Sequence, residues 1–405
     1  MKNRALIPVI EKLCFQNQKM AFVSGPRQCG KTTLAKMLLK RRGYGQYYNY
    51  DETEFRRLWT KDPKSVIPTK DIKTPIIVLD EVHKAKLWKR SLKGIYDTAN
   101  PKPDILVTGS SRLNIYKKGS DSLMGRYFNF RLHPFTLGEL ESDKISEPKN
   151  FLNILTKKTS SSKKRRHTLQ KLLEYSGFPE PFLKSDNDFL RLWRRGRTEK
   201  IIREDLRDLT RTLELSQIEM LVSLLPERIG SFLSRASLKT DLEVSFDTIR
   251  RWLVYLNELY YLFEIKPYSQ RISESLKKEG KSYLWDYSEI PNEPARFENL
   301  VACHLLKFCH YWTDSGKGDY ELFCLRDKRK REIDFLICEN GRPWLPVEVK
   351  INNTTPSENW AHFLKQLPCK QGLQLVLKPN VWKLHNQENM SVLVASASDI
   401  LHLFP

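Results

Sequence analysis

Short apolar runs that end in polar residues recur through the first third of the chain and predict β-strands. They cover residues 20–23, 47–50, 75–79 and 104–108. Between the first two runs, Leu34, Met37 and Leu38 have the spacing of an apolar helix face. Because strands alternate with helical patterns, residues 1–140 are predicted to form an α/β domain.

The next stretch, residues 141–215, is more polar and predicted to be a basic linker and a helical lid. The Ser-rich cationic run 157–166 predicts a solvated, mobile loop, with contact to a nucleic-acid backbone as the alternative. Residues 189–215 have a helical, arginine-rich pattern, in which Arg203 and Arg207 share one face. The partners of that face are either acidic neighbours or phosphates.

Residues 216–270 have the element order of a winged helix-turn-helix. Helices are predicted over 218–225, 237–242 and 245–259, and a wing strand over 260–265. Ser245 is a good N-cap for the third helix, which would present Asp247, Thr248, Arg250 and Arg251. Such a domain contacts either DNA or another protein.

The last stretch, residues 271–405, again alternates strand and helix patterns and predicts a second α/β domain. Strands are expected over 283–287, 320–325, 332–337, 344–351, 372–377 and 391–394, and helices over 295–306, 360–367 and 397–403. The turn Asn340-Gly341 predicts a hairpin between the third and fourth of these strands.

One motif in the first domain identifies a ligand. After the first strand, the sequence fits G-x-x-x-x-G-K-[ST], the phosphate-binding loop of nucleoside triphosphatases. Its backbone N–H groups would face an anion, Lys31 would reach the β- and γ-phosphates, and the Thr32 hydroxyl would bind Mg²⁺. The predicted ATP-binding residues are Gly25, Pro26, Arg27, Gln28, Cys29, Gly30, Lys31, Thr32 and Thr33.

A second motif follows about fifty residues later, where the apolar run 76–79 ends in Asp80-Glu81. At the carboxyl end of a strand, Asp80 would complete the magnesium shell. Glu81 would polarise the water that attacks the γ-phosphate, which is a general-base role. The two motifs together predict ATP and Mg²⁺ as cofactors.

Composition indicates a binding partner and a cellular compartment. The 405 residues carry a net charge of +21, which is typical of proteins that bind a phosphate backbone, and we expect duplex or branched DNA. Seven scattered cysteines without a C-x-x-C pair argue against disulfides and zinc and favour a reducing compartment. No apolar leader or membrane-spanning segment is evident, so a cytoplasmic protein without membrane contact is expected.

Several segments together resemble prokaryotic AAA-type ATPases with a C-terminal restriction-endonuclease-like domain. They are G-P-R-Q-x-G-K-T-T from residue 25, L-D-E-V-H-K from 79, T-G-S-S from 108 and S-L-x-G-R-Y from 122 with its continuation L-x-P-F-T-L-x-E-L. The resemblance implies that Ser110 or Ser111 senses the γ-phosphate, with a helix N-cap as the alternative for either serine. It also implies that Arg126 reaches the nucleotide of a neighbouring subunit in a homo-oligomeric ring, a hexamer being one candidate. A structural pairing of Arg126 with Glu139 or Glu141 is the alternative.

The same resemblance gives the last domain a nuclease-like site. Asp334 on one strand and Glu348-x-Lys350 on the next have the D…(E/D)-x-K layout of restriction-type nucleases. Glu348 and Lys350 point to one side because they are two apart in a strand. Asp334, Glu348 and the Glu298 of the preceding helix would hold Mg²⁺, and Lys350 would activate water.

The predicted fold is therefore an AAA-type P-loop core, a helical lid with a winged-helix middle, and a restriction-endonuclease-like C-terminal domain. The predicted function is ATP-driven remodelling of DNA, translocation on it or its processing, with a nuclease-like domain that binds DNA and is a candidate for cutting it. The alternative is a nucleotide-switched regulatory or defence protein, in which the winged helix and nuclease-like domain are interaction modules.

Overall fold

The computed structural model describes residues 3–68, 74–109, 123–142, 146–155, 157–158, 161–209, 214–269, 279–369, 371–387 and 390–405. The chain separates into two compact units, Met1–Pro134 and Phe135–Pro405. The ATPase core predicted for residues 1–140 is thus centred on the first unit. The three later domain assignments all lie in the second unit, and their boundaries stay predictions.

The first unit is built on a five-stranded parallel sheet in the order β2-β3-β4-β1-β5. Its strands are β1 (Met20–Ser24), β2 (Gly45–Asn49), β3 (Ile76–Asp80), β4 (Asp104–Gly109) and β5 (Tyr127–Arg131). The three central strands are buried along their whole length, which is why their sequences are continuous apolar runs. The predicted α/β architecture is confirmed for this unit.

Within the described residues of this unit, four α-helices accompany the sheet: α1 (Leu6–Leu13), α2 (Lys31–Arg42), α3 (Thr53–Lys61) and α4 (Trp88–Thr98). Aromatic residues of α3 and α4 pack with the sheet in one core that includes Phe22, Phe55, Trp59, Trp88 and Val107. This packing fixes the strands, so the polar residues at their carboxyl ends have defined positions.

The second unit begins with short helices. They are α5 (Leu137–Glu141), α6 (Pro148–Leu155), α7 (Lys163–Tyr175), α8 (Pro179–Lys184), α9 (Asn187–Lys200), a π-helix at Ile201–Asp205 and α10 (Leu206–Leu209). The prediction of a loop over 157–166 is wrong from Lys163 onward, where α7 begins. Ser162 caps α7 by accepting the Arg165 N–H, and apolar residues farther along the helix bury its inner face.

Acidic neighbours and phosphates were the two partners considered for the arginine-rich face, and at Arg203 the structure shows acidic neighbours. Its guanidinium pairs with Glu219 at 3.0 Å and with Glu199 at 3.4 Å. Both partners belong to the second unit, so this arginine stabilises neighbouring helices of the same unit.

Three helices and a small sheet follow. The helices are α11 (Leu215–Leu224), α12 (Arg235–Leu242) and α13 (Phe246–Glu258), and β6 (Leu262–Ile265) pairs antiparallel with β7 (Lys281–Leu284). Ser245 caps α13 as predicted, accepting the Thr248 N–H at 3.1 Å. The element order agrees with the prediction, while the winged-helix assignment itself stays a prediction.

The last part of the second unit is a six-stranded mixed sheet in the order β12-β13-β11-β10-β9-β8. Its strands are β8 (Tyr320–Arg326), β9 (Glu332–Glu339), β10 (Arg342–Lys350), β11 (Gln371–Val376), β12 (Trp382–Gln387) and β13 (Met390–Ser396). Helices α14 (Glu293–Asp314), α15 (Glu358–Leu364) and α16 (Ala397–Ile400) complete it. In the β9–β10 turn, Asn340 and Gly341 both have positive φ, at 49° and 76°, as the predicted hairpin requires.

One strand prediction is displaced. The strand expected over 283–287 is β7, which ends at Leu284. It ends there because the Asp286 carboxylate accepts the Ser288 N–H at 3.2 Å and starts a 3-10 turn over Tyr287–Glu289. None of the helices in the described ranges is long and apolar enough to cross a membrane.

Candidate nucleotide site and carboxylate cluster

The loop between β1 and α2 has the backbone of a phosphate cradle. Gln28 and Gly30 have positive φ, at 65° and 97°, which turns successive N–H groups toward one side. Gly25 is required for a different reason, because a Cβ there would lie 2.2 Å from the Leu132 carbonyl oxygen. The loop opens directly onto the N-terminus of α2, where backbone N–H groups favour an anion.

Lys31 is buried at the start of α2. Its Nζ donates hydrogen bonds to the carbonyl oxygens of Gly25 at 2.9 Å and Pro26 at 2.8 Å. The ammonium therefore lies across the loop that would hold a phosphate. The side chain of Cys29 is also buried and points to the Leu132 carbonyl, whereas Thr32 and Thr33 are exposed at the mouth of the loop.

The Asp80 carboxylate is held by three hydroxyl groups. Thr32 Oγ1 donates to Oδ2 at 2.8 Å, Tyr47 Oη to Oδ2 at 2.7 Å and Thr108 Oγ1 to Oδ1 at 2.6 Å. Burial and the Asp80 carboxylate raise the pKa of the Tyr47 phenol, so the phenol keeps the proton that it donates. The juxtaposed Thr32 hydroxyl and Asp80 carboxylate fit Mg²⁺, since hard oxygen ligands are those this ion prefers.

Glu81 is placed beside the same loop by a left-handed backbone, with φ at 57°. Its N–H donates to the Thr108 carbonyl at 2.8 Å, and its Oε2 lies 3.6 Å from both His83 Nε2 and Lys84 Nζ. Burial raises the pKa of Glu81, although the Lys31 and Lys84 ammonium groups act to lower it. A carboxylate with a raised pKa next to a phosphate loop is suited to take up a proton.

Arg126 immediately precedes β5 and binds Asp97 of α4. Its Nε and Nη2 donate to the two carboxylate oxygens at 2.8 and 3.0 Å, a bidentate arrangement. A structural pairing of Arg126 is thus present, with Asp97 as its partner, while Glu139 binds Lys307 at 2.7 Å and Glu141 binds Lys164 at 2.9 Å. Ser110 and Ser111 lie outside the described residues.

In the second unit, one buried lysine joins three carboxylates. Lys281 Nζ lies 3.3 Å from Glu298 Oε1, 3.3 Å from Glu332 Oε1 and 3.3 Å from Asp334 Oδ1. Tyr283 Oη also donates to Glu298 Oε1, at 2.8 Å. We call Lys281, Glu298, Glu332 and Asp334 the carboxylate cluster.

Glu348 and Lys350 point to one side of β10, as predicted, and form an ion pair of 3.0 Å. Both oxygens of Glu348 also accept a hydrogen bond from Ser357 Oγ, at 2.9 and 2.8 Å. Asp334 Oδ2 accepts the Val349 N–H at 2.9 Å, which ties the carboxylate cluster to β10. The structure thus brings together all four nuclease-like residues, with both oxygens of Asp334, both of Glu348 and one of Glu298 already bonded.

Magnesium does not fit the carboxylate cluster as it stands. Mg²⁺ binds oxygen at about 2.0–2.1 Å in near-ideal octahedral geometry and is repelled by a neighbouring cation. Here an ammonium already touches the Glu298, Glu332 and Asp334 oxygens. Within the part of the chain that the structure describes, no group of three or more His, Cys, Asp or Glu side chains could hold a metal ion.

Next to the cluster, the turn between β8 and β9 presents basic side chains. Lys328, Arg329 and Lys330 are exposed, and we call them the basic turn. Asp327 fixes its shape by accepting the N–H groups of Arg329 at 2.8 Å and Arg331 at 3.0 Å. The turn therefore holds three cations in an ordered, solvent-facing arrangement.

Comparison with known families agrees with the geometry of the first unit. Residues 17–141 match the model described as an AAA domain. Together with the phosphate loop and the Asp80-Glu81 pair, this match decides the class. The N-terminal third is an AAA-type P-loop ATPase domain. Residues 166–288 and 295–395 match two domains of unknown function, DUF8612 and DUF4143, so the nuclease-like assignment stays a prediction.

Two relatives match most of the chain. A Haemophilus influenzae protein is 23% identical over 373 residues, covering 84% of this chain and 85% of that protein. A Mycobacterium tuberculosis protein is 22% identical over 345 residues, covering 84% of this chain and 71% of that protein. Both are described as uncharacterized.

Solved structures of other P-loop proteins superpose loosely. A Walker-type ATPase of Pyrococcus abyssi has a TM-score of 0.42 at 13% identity and covers 72% of this chain and 95% of its own. The ORC1 protein of Aeropyrum pernix, solved in complex with DNA, has a TM-score of 0.30 at 14% identity, covering 73% and 90%. These likenesses are too distant to carry a functional argument.

Five residues of these sites were not predicted from sequence, and one of them is Glu332 of the carboxylate cluster. Tyr47 and Thr108 orient Asp80 in the AAA domain, and Lys281 and Ser357 occupy the oxygens of the second site. Thr108 lies near the end of β4, next to β3, so a polar residue close to that strand end was an available signal. Glu332 is two residues before Asp334 on β9, so the period of a strand was an available signal for it. Tyr47, Lys281 and Ser357 meet their carboxylates from elements that no local motif connects to them.

The Asp80 network gives a first testable expectation. Thr108→Val keeps the side-chain shape but removes the hydroxyl that donates to Asp80 Oδ1. The Asp80 carboxylate should then be held less firmly in the orientation that binds Mg²⁺. We expect ATPase activity to fall about tenfold at low free Mg²⁺, as is usual when a residue supporting a metal ligand is lost. The activity should recover substantially at high free Mg²⁺. Thr98→Val, which removes a helix-surface hydroxyl bonded to the Gly94 carbonyl, is the control and should change little.

Proposed function

We propose that this protein hydrolyses ATP and uses the energy to remodel, translocate on or process duplex or branched DNA. The proposal is carried by the arrangement of Lys31, Thr32, Asp80 and Glu81 around one phosphate loop. On nucleotide binding, Lys31 would exchange the Gly25 and Pro26 carbonyls for the β- and γ-phosphates. The exchange replaces two neutral acceptors with charged ones, which favours it.

Thr32 and Asp80 would hold the magnesium ion, which supplies charge neutralisation at the phosphates when bound. Glu81 would accept a proton from the attacking water, and its raised pKa matches that role. Ser110 is proposed to contact the γ-phosphate. Arg126 is proposed to complete the site of a neighbouring subunit in a ring, for which it would have to leave Asp97.

The basic turn is the proposed DNA contact of the second unit. Lysine and arginine side chains that neutralise phosphates release condensed counterions, so the affinity depends on salt and not on base sequence. The net charge of +21 is in keeping with such a partner. DNA cleavage is not included in the proposal, because Lys281 occupies the carboxylate cluster.

Charge reversal of the basic turn tests the DNA contact. In a Lys328→Glu, Arg329→Glu, Lys330→Glu variant, the DNA affinity should fall at least tenfold, and the salt slope should drop by up to about 0.9 per lost phosphate contact. The measurement is fluorescence anisotropy with duplex, forked and four-way-junction DNA at several salt concentrations, with ATP hydrolysis followed in parallel. DNA-stimulated hydrolysis should fall with the affinity, and hydrolysis without DNA should not change.

The matched control reverses three exposed cations of α3 and the turn after it, Arg57, Lys61 and Lys64. This control has the same net charge as the test variant, so an equal loss of affinity in both would mean that only overall charge matters. Lys31→Ala serves as the protein that does not hydrolyse ATP. If DNA changes the ATPase rate of no variant, including the wild type, the DNA-driven function is wrong and a nucleotide-switched regulatory protein is the better interpretation.

A further inference from the structure

Lys281 is an unusual residue to find at the base of a predicted metal site. It is the first residue of β7 and is only 1% exposed, and its ammonium faces carboxylates from α14 and β9. Lysine is almost never fully buried unless it is paired. The pairing here is threefold, with three ion-pair distances of 3.3 Å.

The electrostatics of the cluster favour a charged lysine. The Nζ of Lys281 lies at ion-pair distance from the carboxylates of Glu298, Asp334 and Glu332, and an opposite charge at this distance favours the charged form. The ammonium is thus the positive charge that allows the largely buried Glu298 and Asp334 and the partly exposed Glu332 to lie close together.

We propose that the Lys281 ammonium is the permanent cation of the carboxylate cluster and takes the place of the metal ion that the D…E-x-K layout predicts. The C-terminal part of the second unit then works without Mg²⁺, as a binding module. This inference is independent of the proposed ATPase function, because every residue that carries it lies outside the AAA domain.

The second oxygen of Asp334 and the Glu348 carboxylate support the same conclusion. Asp334 Oδ2 accepts the Val349 N–H, and Glu348 is bonded by Ser357 and Lys350. A divalent ion would have to compete with these bonds and also displace the ammonium of a lysine that is only 1% exposed. Lys350 keeps part of its side chain exposed, so it remains able to meet a phosphate directly.

Removing the ammonium should convert the cluster into a metal site. Lys281→Met has a similar volume and no charge, which leaves the carboxylates of Glu298, Glu332 and Asp334 without their cation. With no nucleotide present, this variant of the full chain should bind Mn²⁺ at least about tenfold more tightly than the wild type, since acidic oxygens favour this ion. Its melting temperature should rise on adding millimolar Mn²⁺, while that of the wild type should not.

Lys307→Met is the matched control. Lys307 is another buried lysine of the second unit, but its ammonium binds Glu139 at 2.7 Å and Thr136 at 3.1 Å, away from the cluster. It should lose stability without gaining Mn²⁺ affinity. Adding Asp334→Asn to Lys281→Met should remove the gain, which assigns the bound ion to the cluster.

Two results would overturn the proposal. One is a folded Lys281→Met protein with the same Mn²⁺ affinity as the wild type. The other needs no Lys281 variant: a wild type that binds Mg²⁺ or Mn²⁺ without nucleotide, or cuts DNA with Mg²⁺, and loses this in Asp334→Asn. If Lys281→Met does not fold, the comparison of the wild type with Asp334→Asn decides, and absence of metal binding and cutting in both supports the resident lysine.

Discussion

Replacing Glu81 with glutamine should lower the maximal rate of ATP hydrolysis by about 10³-fold, within the range that general-base groups contribute. The amide keeps the size and the hydrogen-bonding capacity of the side chain but cannot accept a proton from water. Nucleotide binding should be nearly unchanged, because Lys31 and the loop backbone are untouched. Steady-state hydrolysis and the binding of a fluorescent ATP analogue measure the two effects separately.

The pH dependence of the same reaction provides an independent check. Glu81 must be ionised to act as the base, so the rate should fall as the pH drops through its pKa in the folded protein. Because burial raises this pKa above the ordinary 4.5, the acid limb should lie at a higher pH than an exposed glutamate would give. The limb should be absent from the residual activity of Glu81→Gln.

Asp51→Asn is the control for Glu81. Asp51 is also a carboxylate bound to Lys84, at 2.6 Å, but it is largely exposed. Its loss should change hydrolysis only modestly. Wild-type hydrolysis in Glu81→Gln would mean that another group takes the proton, and the proposed role of Glu81 would then be withdrawn.

Arg126→Ala should lower hydrolysis by about 10³-fold or more if this arginine completes a neighbour's site, since arginine fingers contribute 10³–10⁵. A charge that stabilises the transferring phosphoryl group acts mainly on the rate, so nucleotide affinity should change far less. Mixing Arg126→Ala with Lys31→Ala should restore part of the activity, because some interfaces would then combine an intact loop with an intact arginine. Recovery on mixing is the signature of action between subunits.

Asp97→Asn separates this role from a structural one. The variant removes the bidentate partner of Arg126 but leaves the guanidinium in place. If Arg126 is a finger, Asp97→Asn should retain hydrolysis, because the arginine is freed to reach the nucleotide. If the pair only joins α4 to the segment before β5, both variants should lose thermal stability to a similar degree and neither should show a specific loss of rate.

Much of the AAA domain was predictable because its signals are local. The phosphate loop is one continuous motif in which glycine supplies the backbone conformations, and Asp80-Glu81 follows directly from an apolar strand. Helix α13 was predictable from Ser245, and the β9–β10 hairpin from Asn340-Gly341. In each case the residues that determine the structure are neighbours in the chain, so periodicity and capping preferences are sufficient.

The tertiary structure decided which distant side chains meet. Tyr47 and Thr108 reach Asp80 because β2 and β4, which carry them, lie on either side of β3. Thr32 reaches the same carboxylate from the first turn of α2. Arg126 pairs with Asp97, a partner that no sequence spacing indicates. The D…E-x-K layout pointed to Asp334 and Glu348 on neighbouring strands but gave no sign of Lys281. Sequence patterns specify which face of a helix or strand is buried. Packing between elements decides which charged groups then meet on that face, and in the carboxylate cluster the Lys281 ammonium meets three carboxylates.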